Sequence, residues 1–445
     1  MIDLLIRGGT VVLPGVFPVH ADVAIEDGRI AAVVPELQEP AREELDARGL
    51  HVLPGAVDAH VHFNEPGRAD WEGWASGTAA LAAGGATACV EMPLNASPPT
   101  VDGTAFDVKA AAAERGAVID FALWGGLVPG SLDRLDELAA RGAAGFKAFM
   151  CPTGIEDFEA VNDDALGAGM ARAAALGLPV AVHAERPDRL TPVRGDDWRA
   201  WAASRPPDAE LAAIERALEL AEETGCSLHV VHVSTGAGVA LVAEARSRGV
   251  EVTCETCPQY LTLTEEDMER LGTAAKCAPP LRPAGEREAL WEHLAAGRVA
   301  LVASDHSPCP PAMKAGGFAG AWGGIAGAQT LLALLLDEGH RRRGLPLAPL
   351  ADLVTGAPAA RFGLRKGRLE PGADADLALV DLRGEHELRT EDLHDRHRAN
   401  PFAGRTLRAR VVRTLLRGRT VFADGRVAPQ ARGRLLVPDR QGRPR

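Results

Sequence analysis

The sequence predicts an α/β chain: a (β/α)8, TIM-like barrel carrying a small β-sandwich domain built from both termini. Three observations carry this expectation. Eight short apolar runs alternate with Ala-rich helical stretches through the middle, the two ends share a pattern absent from the middle, and several runs turn polar at their C-terminal ends.

The runs are GAVDAHVHF, ATACVEMP, VIDFALWGG, AGFKAFM, PVAVHAE, SLHVVHVS, VEVTCETC and VALVASDHS. Between them lie stretches such as WASGTAALAAGG, AFDVKAAAAERG and DAELAAIERALELAEETG, with helical spacing and glycine stops. Eight strand–helix repeats over about 300 residues suit a closed barrel. A doubly wound open sheet would be expected to place a glycine-rich phosphate turn after its first strand, and no GxGxxG stands there. Residues 54–365 are assigned to the barrel.

At the ends, DLLIRGGTVVLP and ADVAIEDGRIAAVV are matched by ADLALVDL and ARVVRTLLRGRTVFADGRVA. Their alternation around Asp27-Gly28 and Asp424-Gly425 is a hairpin signal. Residues 1–53 and 366–445 are read as one small β domain. Two unrelated β ribbons on a larger body fit the pattern equally well.

Composition narrows the function. Of 445 residues, 46% are hydrophobic and 24% charged, which is globular usage rather than disorder. The formal charge of −13 argues against nucleic acid or an anionic membrane as partner. No apolar run reaches the ~18–20 residues of a membrane span, and the start lacks a secretory pattern. Seven cysteines, an odd number spread along the chain, do not form a disulfide framework, so a cytoplasmic protein is expected. Only five residues are lysine: Lys109, Lys147, Lys276, Lys314 and Lys366.

Buried parallel strands should read as apolar runs. Here the first ends His60-Val61-His62, the fourth holds Lys147, the fifth His183 then Glu185, the sixth His229 and His232, and the eighth Asp305-His306. Barrel enzymes build their sites at this C-terminal face. Residues two apart on a strand point the same way, so His60 and His62 can grip one ion. Imidazole nitrogen suits divalent metals such as zinc, and Asp can add an oxygen. A lone strand histidine is more often a hydrogen-bonded core residue than a ligand. The coincidence of histidines, Lys147 and Asp305 at one barrel end is what points to a metal site. A lysine there is odd, because a cation repels cations.

These residues resemble the amidohydrolase superfamily, in its cyclic-amidohydrolase branch of allantoinases, dihydroorotases, hydantoinases and dihydropyrimidinases. The likeness covers essentially the whole chain. FNEPGRADWEGW, EMPLNASPPT, GFKAFMCPTG, HVSTGAG, KCAPPLR, SDHSPCPP and AWGGIAGAQ are similar to allantoinase motifs. The resemblance implies two divalent ions, zinc by expectation. His60 and His62 would bind the more buried ion, and His183 and His232 the more exposed one. Lys147, as an N6-carboxylated lysine, would bridge both. Asp305 would bind the buried ion and shuttle protons. His229, three residues before His232, is expected on the other face of a straight strand, in the core or towards a helix. The implied reaction is metal-dependent hydrolysis of a ring amide by hydroxide, opening allantoin to allantoate.

Specificity must come from the pocket walls. By resemblance, Asn64 stands where dihydroorotases usually carry the Arg that clamps a substrate carboxylate, which favours a small neutral cyclic ureide. Arg68 and Arg186 remain possible substitutes. Pro152 stands where hydantoinases and dihydropyrimidinases usually have an oxyanion-binding Tyr, and the chain's one tyrosine is Tyr260. Gln259, in contrast, is the hydantoinase-like choice where allantoinases usually show His. Asn95 offers an amide to the ring or serves as a turn residue. Ala278 and Gly323 are expected, by resemblance, to hold the ring through backbone groups. Cys254 and Cys257 are read as packing. Trp71, Trp74 and Trp322 are either a lid or core. A homo-oligomer, tetramer or dimer, is implied by family likeness.

Overall fold

A computed structural model describes residues 1–439 apart from 14 and 16. All eight apolar runs form parallel strands: β1 (Ala56–Val61), β2 (Ala86–Glu91), β3 (Asp120–Leu123), β4 (Phe146–Phe149), β5 (Val180–His183), β6 (Leu228–Val230), β7 (Val252–Thr256) and β8 (Leu301–Val302). The helices that follow them in turn are α1 (Trp74–Ala83), α2 (Gly103–Gly116), α3 (Leu135–Ala140), α4 (Asp163–Ala175), α5 (Pro207–Thr224), α6 (Gly236–Ser247), α7 (Ala284–Ala295) and α8 (Leu331–Leu335).

Strands β1–β2–β3 pair in order, and so do β4 to β8. Two joints close the circle. After Trp124, Gly125–Gly126 continues the line of β3 and pairs with β4. On the other side, a Val61–His306 bridge and a 2.7 Å bond from the His62 N–H to the His306 carbonyl join the chain after β8 to β1. Close approach explains one glycine: a Cβ on Gly145 would lie 2.5 Å from the Trp124 ring and 2.7 Å from the Pro179 carbonyl. Three of these helices start on side-chain caps. Asp102, Asn162 and Thr235 accept from the N–H groups of Ala105, Ala165 and Gly238 at the starts of α2, α4 and α6. None of the described helices is long and apolar enough to cross a membrane.

Both ends of the chain enter one nine-stranded sheet. Its seam is the antiparallel pairing of Leu377–Asp381 with His51–Pro54, Leu379 opposite Val52. Strand Ile2–Val11 pairs with Ala41–Asp46 through its first half and with His51–Pro54 through its last residues. The switch follows an irregularity between Ile6 and Gly9, and it wraps the sheet around a core that includes Ile6, Val23, Val52, Leu377 and Leu415. Both expected hairpin turns carry positive φ at each centre: 50° and 75° at Asp27 and Gly28, 52° and 72° at Asp424 and Gly425. Residues 440–445 of the second expected segment lie outside the described residues.

The small domain is pinned to the barrel by charge. Lys366 places its ammonium 2.7 Å from Asp120, which opens β3, and 2.6 Å from Asp376 in the small domain. Arg417, from a turn of the sheet, pairs with the same Asp120.

Candidate metal centre

The strand ends converge on one rim and bring the expected donors together, all buried: His60, His62, Lys147, His183, His232 and Asp305. They form two groups. Nε2 atoms of His60 and His62 lie 3.3 and 3.5 Å from Asp305 Oδ1. Nδ1 of His183 lies 3.0 Å from Nε2 of His232. The His60 and His232 rings, 5.5 Å apart between centroids, join the two groups. Ligand atoms about 2.1 Å from one tetrahedral ion are about 3.4 Å from each other, so both spacings fit a divalent cation.

The electrostatics agree with that fit. Burial pushes His62 down to about 4 and also lowers His183 and His232, so these rings are neutral near pH 7, the form that ligates. Burial alone would raise Asp305, but His60 and His62 more than offset it and keep the carboxylate ionised. Lys147 is fully buried and its Nζ has no hydrogen-bond partner. Burial lowers that amine to about 7, which makes its neutral form accessible.

Behind the donors stand carboxylates that fix their rings. His60 Nδ1 lies 2.5 Å from Glu255 Oε1, and His183 Nε2 lies 2.7 Å from Glu185 Oε2. Arg205 pairs with Glu185, and the Cys151 thiol lies 4.0 Å from the same oxygen. Cys151, His183 and Glu185 thereby form a second group able to hold a metal, beside His60, His62 and Asp305. Sequence reasoning noted Glu185 only as a polar strand residue, and it passed over Cys151 and Glu255. His229 lies in the core, apart from the donors, as its spacing implies: it is fully buried and edge-on to Phe362 at 5.4 Å, with its Nε2 3.1 Å from Glu255 Oε2 and its Nδ1 2.8 Å from Thr253 Oγ1.

Backbone strain marks the same region. Asn64, Asn95, His232 and Asp305 adopt φ of 64°, 68°, 41° and 47°. Non-glycine residues rarely occupy this left-handed region, and they cluster there at functional sites.

The expected ring-binding positions occupy loops above the donors. Asn64 is fully buried, its Nδ2 3.4 Å from the Pro308 carbonyl and its Oδ1 without a partner. The segments that carry Ala278 and Gly323 are joined by the Gly324 N–H, which donates to the Lys276 carbonyl at 2.8 Å. Asn95 is tied instead to the loop after β1, its carbonyl accepting from Arg68 at 2.8 Å. Arg68 also pairs with Asp157, and Arg186 with Asp163 and Asp188, so both guanidinium groups are engaged.

Other residues resolve differently. Tyr260 donates its hydroxyl to the Pro279 carbonyl at 2.7 Å, a structural role. Cys254 and Cys257 are free and buried, as packing requires. Gln259 is buried with its Nε2 unpartnered. Trp74 is core, edge-on to Phe63 at 5.0 Å, whereas Trp71 meets Trp322 at 4.9 Å and links the loops after β1 and β8.

Comparison with known proteins places this arrangement. Residues 51–421 match the amidohydrolase family. The chain is 62% identical to an allantoinase of Rubrobacter xylanophilus, over 99% of this chain and 98% of the relative. It is 52% identical to an allantoinase of Solibacter usitatus, over 98% and 97%. Its fold superimposes on an L-hydantoinase (dihydropyrimidinase) from Arthrobacter aurescens with a TM-score of 0.95 and 35% identity, covering 98% of this chain and all of that one.

Proposed function

The chain belongs to the amidohydrolase family, and from that premise we propose that it hydrolyses the ring amide of allantoin to give allantoate. The observation that carries the reading is the convergence of four buried imidazoles, the Asp305 carboxylate and an unpartnered Lys147 amine at one rim.

We assign His60, His62 and Asp305 to one divalent ion and His183 and His232 to a second. Lys147, were its neutral amine to add carbon dioxide and release a proton, would offer them a shared carbamate; the orphaned Nζ supports this role. Zinc is the proposed metal, because nitrogen and carboxylate donors suit it. When bound, such ions polarise the ring carbonyl and make hydroxide available near neutral pH.

The chain's own residues do the rest. Asp305 accepts the proton of the attacking water and delivers it to the ring nitrogen as the C–N bond breaks, leaving a linear ureido acid. Its carboxylate is suited to this because His60 and His62 hold it ionised. Asn64 faces the site without a positive charge, and Arg68 and Arg186 are paired with carboxylates, which favours a neutral ring over an anionic one. Asn95 and the backbone at Ala278 and Gly323 complete the proposed ring contacts.

Gln259 and the likeness to an L-hydantoinase keep hydantoins and dihydropyrimidines as the second substrate class. A kinetic panel of allantoin, hydantoin, dihydrouracil and dihydroorotate separates them. Allantoin is expected to give the highest kcat/KM; dominant turnover of dihydroorotate would overturn the Asn64 argument. The proposal also includes a cytoplasmic location and a dimer or tetramer of this chain, the latter tested by light scattering.

A further inference from the structure

We infer that Glu255 is a positioning residue of the metal centre, a buried carboxylate that orients His60 with one oxygen and is itself held by a polar line reaching through the barrel to Arg361. The inference rests on the metal reading above and concerns a residue that neither contributes a ligand atom nor touches substrate.

The geometry assigns every proton in the line. Arg361, the last residue of helix Gly356–Arg361, donates from Nε to Thr253 Oγ1 at 2.7 Å. Its Nη1 and Nη2 reach the Ser227 hydroxyl at 2.9 Å and the Leu228 carbonyl at 3.0 Å, so the guanidinium is fixed against β6. An ionised Glu255 can only accept, so His229 turns an Nε2–H towards it and its Nδ1 accepts from the Thr253 hydroxyl, 2.8 Å away. His229 is then protonated at Nε2 and donates to Glu255 Oε2 at 3.1 Å. The remaining oxygen, Oε1, accepts from His60 Nδ1 at 2.5 Å. His60 is thereby held in one tautomer, with the lone pair of Nε2 facing the position it shares with Asp305.

Charge gives the same answer. Glu255 is 1% exposed and His229 fully buried. Each oxygen of this carboxylate meets one imidazole nitrogen, and the Arg361 guanidinium is two residues away along the line. A desolvated carboxylate is costly without a cation nearby. A divalent ion held by His60 would supply positive charge there, and the carboxylate would in return raise the basicity of that imidazole.

The test compares Glu255→Gln, Glu255→Ala and Thr253→Val with the parent chain, all loaded with zinc. Chelator competition reads metal retention, and allantoin turnover reads kcat and KM separately. Glu255→Gln keeps the shape and an acceptor for His60 but removes the charge, and Thr253→Val removes the line's second link without touching a ligand. Glu255→Gln is expected to retain metal about 10- to 100-fold less tightly, with kcat falling and KM unchanged; Thr253→Val shifts the same way by less. Folded Glu255→Gln and Thr253→Val proteins with parental metal retention would overturn the inference while leaving the hydrolase reading intact. A parent chain that neither holds metal nor opens allantoin would instead sink that reading, and this inference with it.

Discussion

A buried ammonium is costly unless something answers its charge, and the lysines of this chain answer it in different ways. Lys109 meets Glu91 at 2.6 Å and the Met92 carbonyl at 2.8 Å. Lys366 is surrounded by Asp120, Asp374 and Asp376. Lys276 lies 4.1 Å over the Trp201 ring and reaches the Ala321 carbonyl. Lys147 alone among the five has an Nζ with no hydrogen-bond partner, and it is the one that sits among the candidate metal donors. That rarity was legible from composition, because an arginine-rich chain places each lysine deliberately. The role of Glu255 was not legible: a glutamate in VEVTCETC shows neither which oxygen meets which ring nor that β7 faces His60. Replacing Lys366 by Met takes the ammonium partner from the buried Asp376 and is expected to cost about 3–5 kcal/mol, measured by denaturant unfolding. Burial lowers the Lys366 pKa, but Asp376 and Asp120 outweigh that and raise it above its unfolded value. Its contribution is therefore full below the unfolded value of about 10.4 and is lost as pH rises through the higher folded one. The gap between parent and Lys366→Met should hold from neutral pH to about 10 and narrow only beyond it.

At the scale of elements, the apolar runs located all eight barrel strands, but the regular strands stop earlier than the runs do. β6 ends at Val230 and β8 at Val302, short of His232 and Asp305, which take left-handed backbone. Periodicity reads pairing and burial, whereas the departure from pairing that aims a donor depends on contacts with neighbouring loops. One such loop, 311–324, is clamped by Lys314, whose ammonium donates to the carbonyls of Thr273, Trp322 and Gly324 at 3.0, 2.9 and 2.5 Å. This loop carries Trp322 and Gly323 above the site. Lys314→Met removes bonds to a charged donor, each contributing about 1.5–3 kcal/mol. Amide exchange in 311–324 is expected to quicken by at least about tenfold in that variant, with exchange in α5 unchanged. Equal exchange in both proteins would show that the clamp is not what orders the loop.

Across the whole molecule, the likeness of the two ends was visible in their alternation, yet one sheet and two separate ribbons fitted it equally. Register decides between them: Leu379 opposite Val52 is a pairing across more than 300 residues that no local pattern encodes. That sheet and the Lys366–Asp120 contact hold the barrel's third strand, while the opposite rim is left to the donors. The central claim is that those donors, bridged through Lys147, hold a metal pair that opens a cyclic amide. The direct measurement is elemental analysis of the purified parent and of Lys147→Ala, made alongside allantoin ring opening. The account predicts two divalent ions per parent chain, loss of at least one in the variant, and a fall in turnover of about a thousandfold or more. A Lys147→Ala protein that keeps both ions and opens allantoin at the parental rate would contradict it.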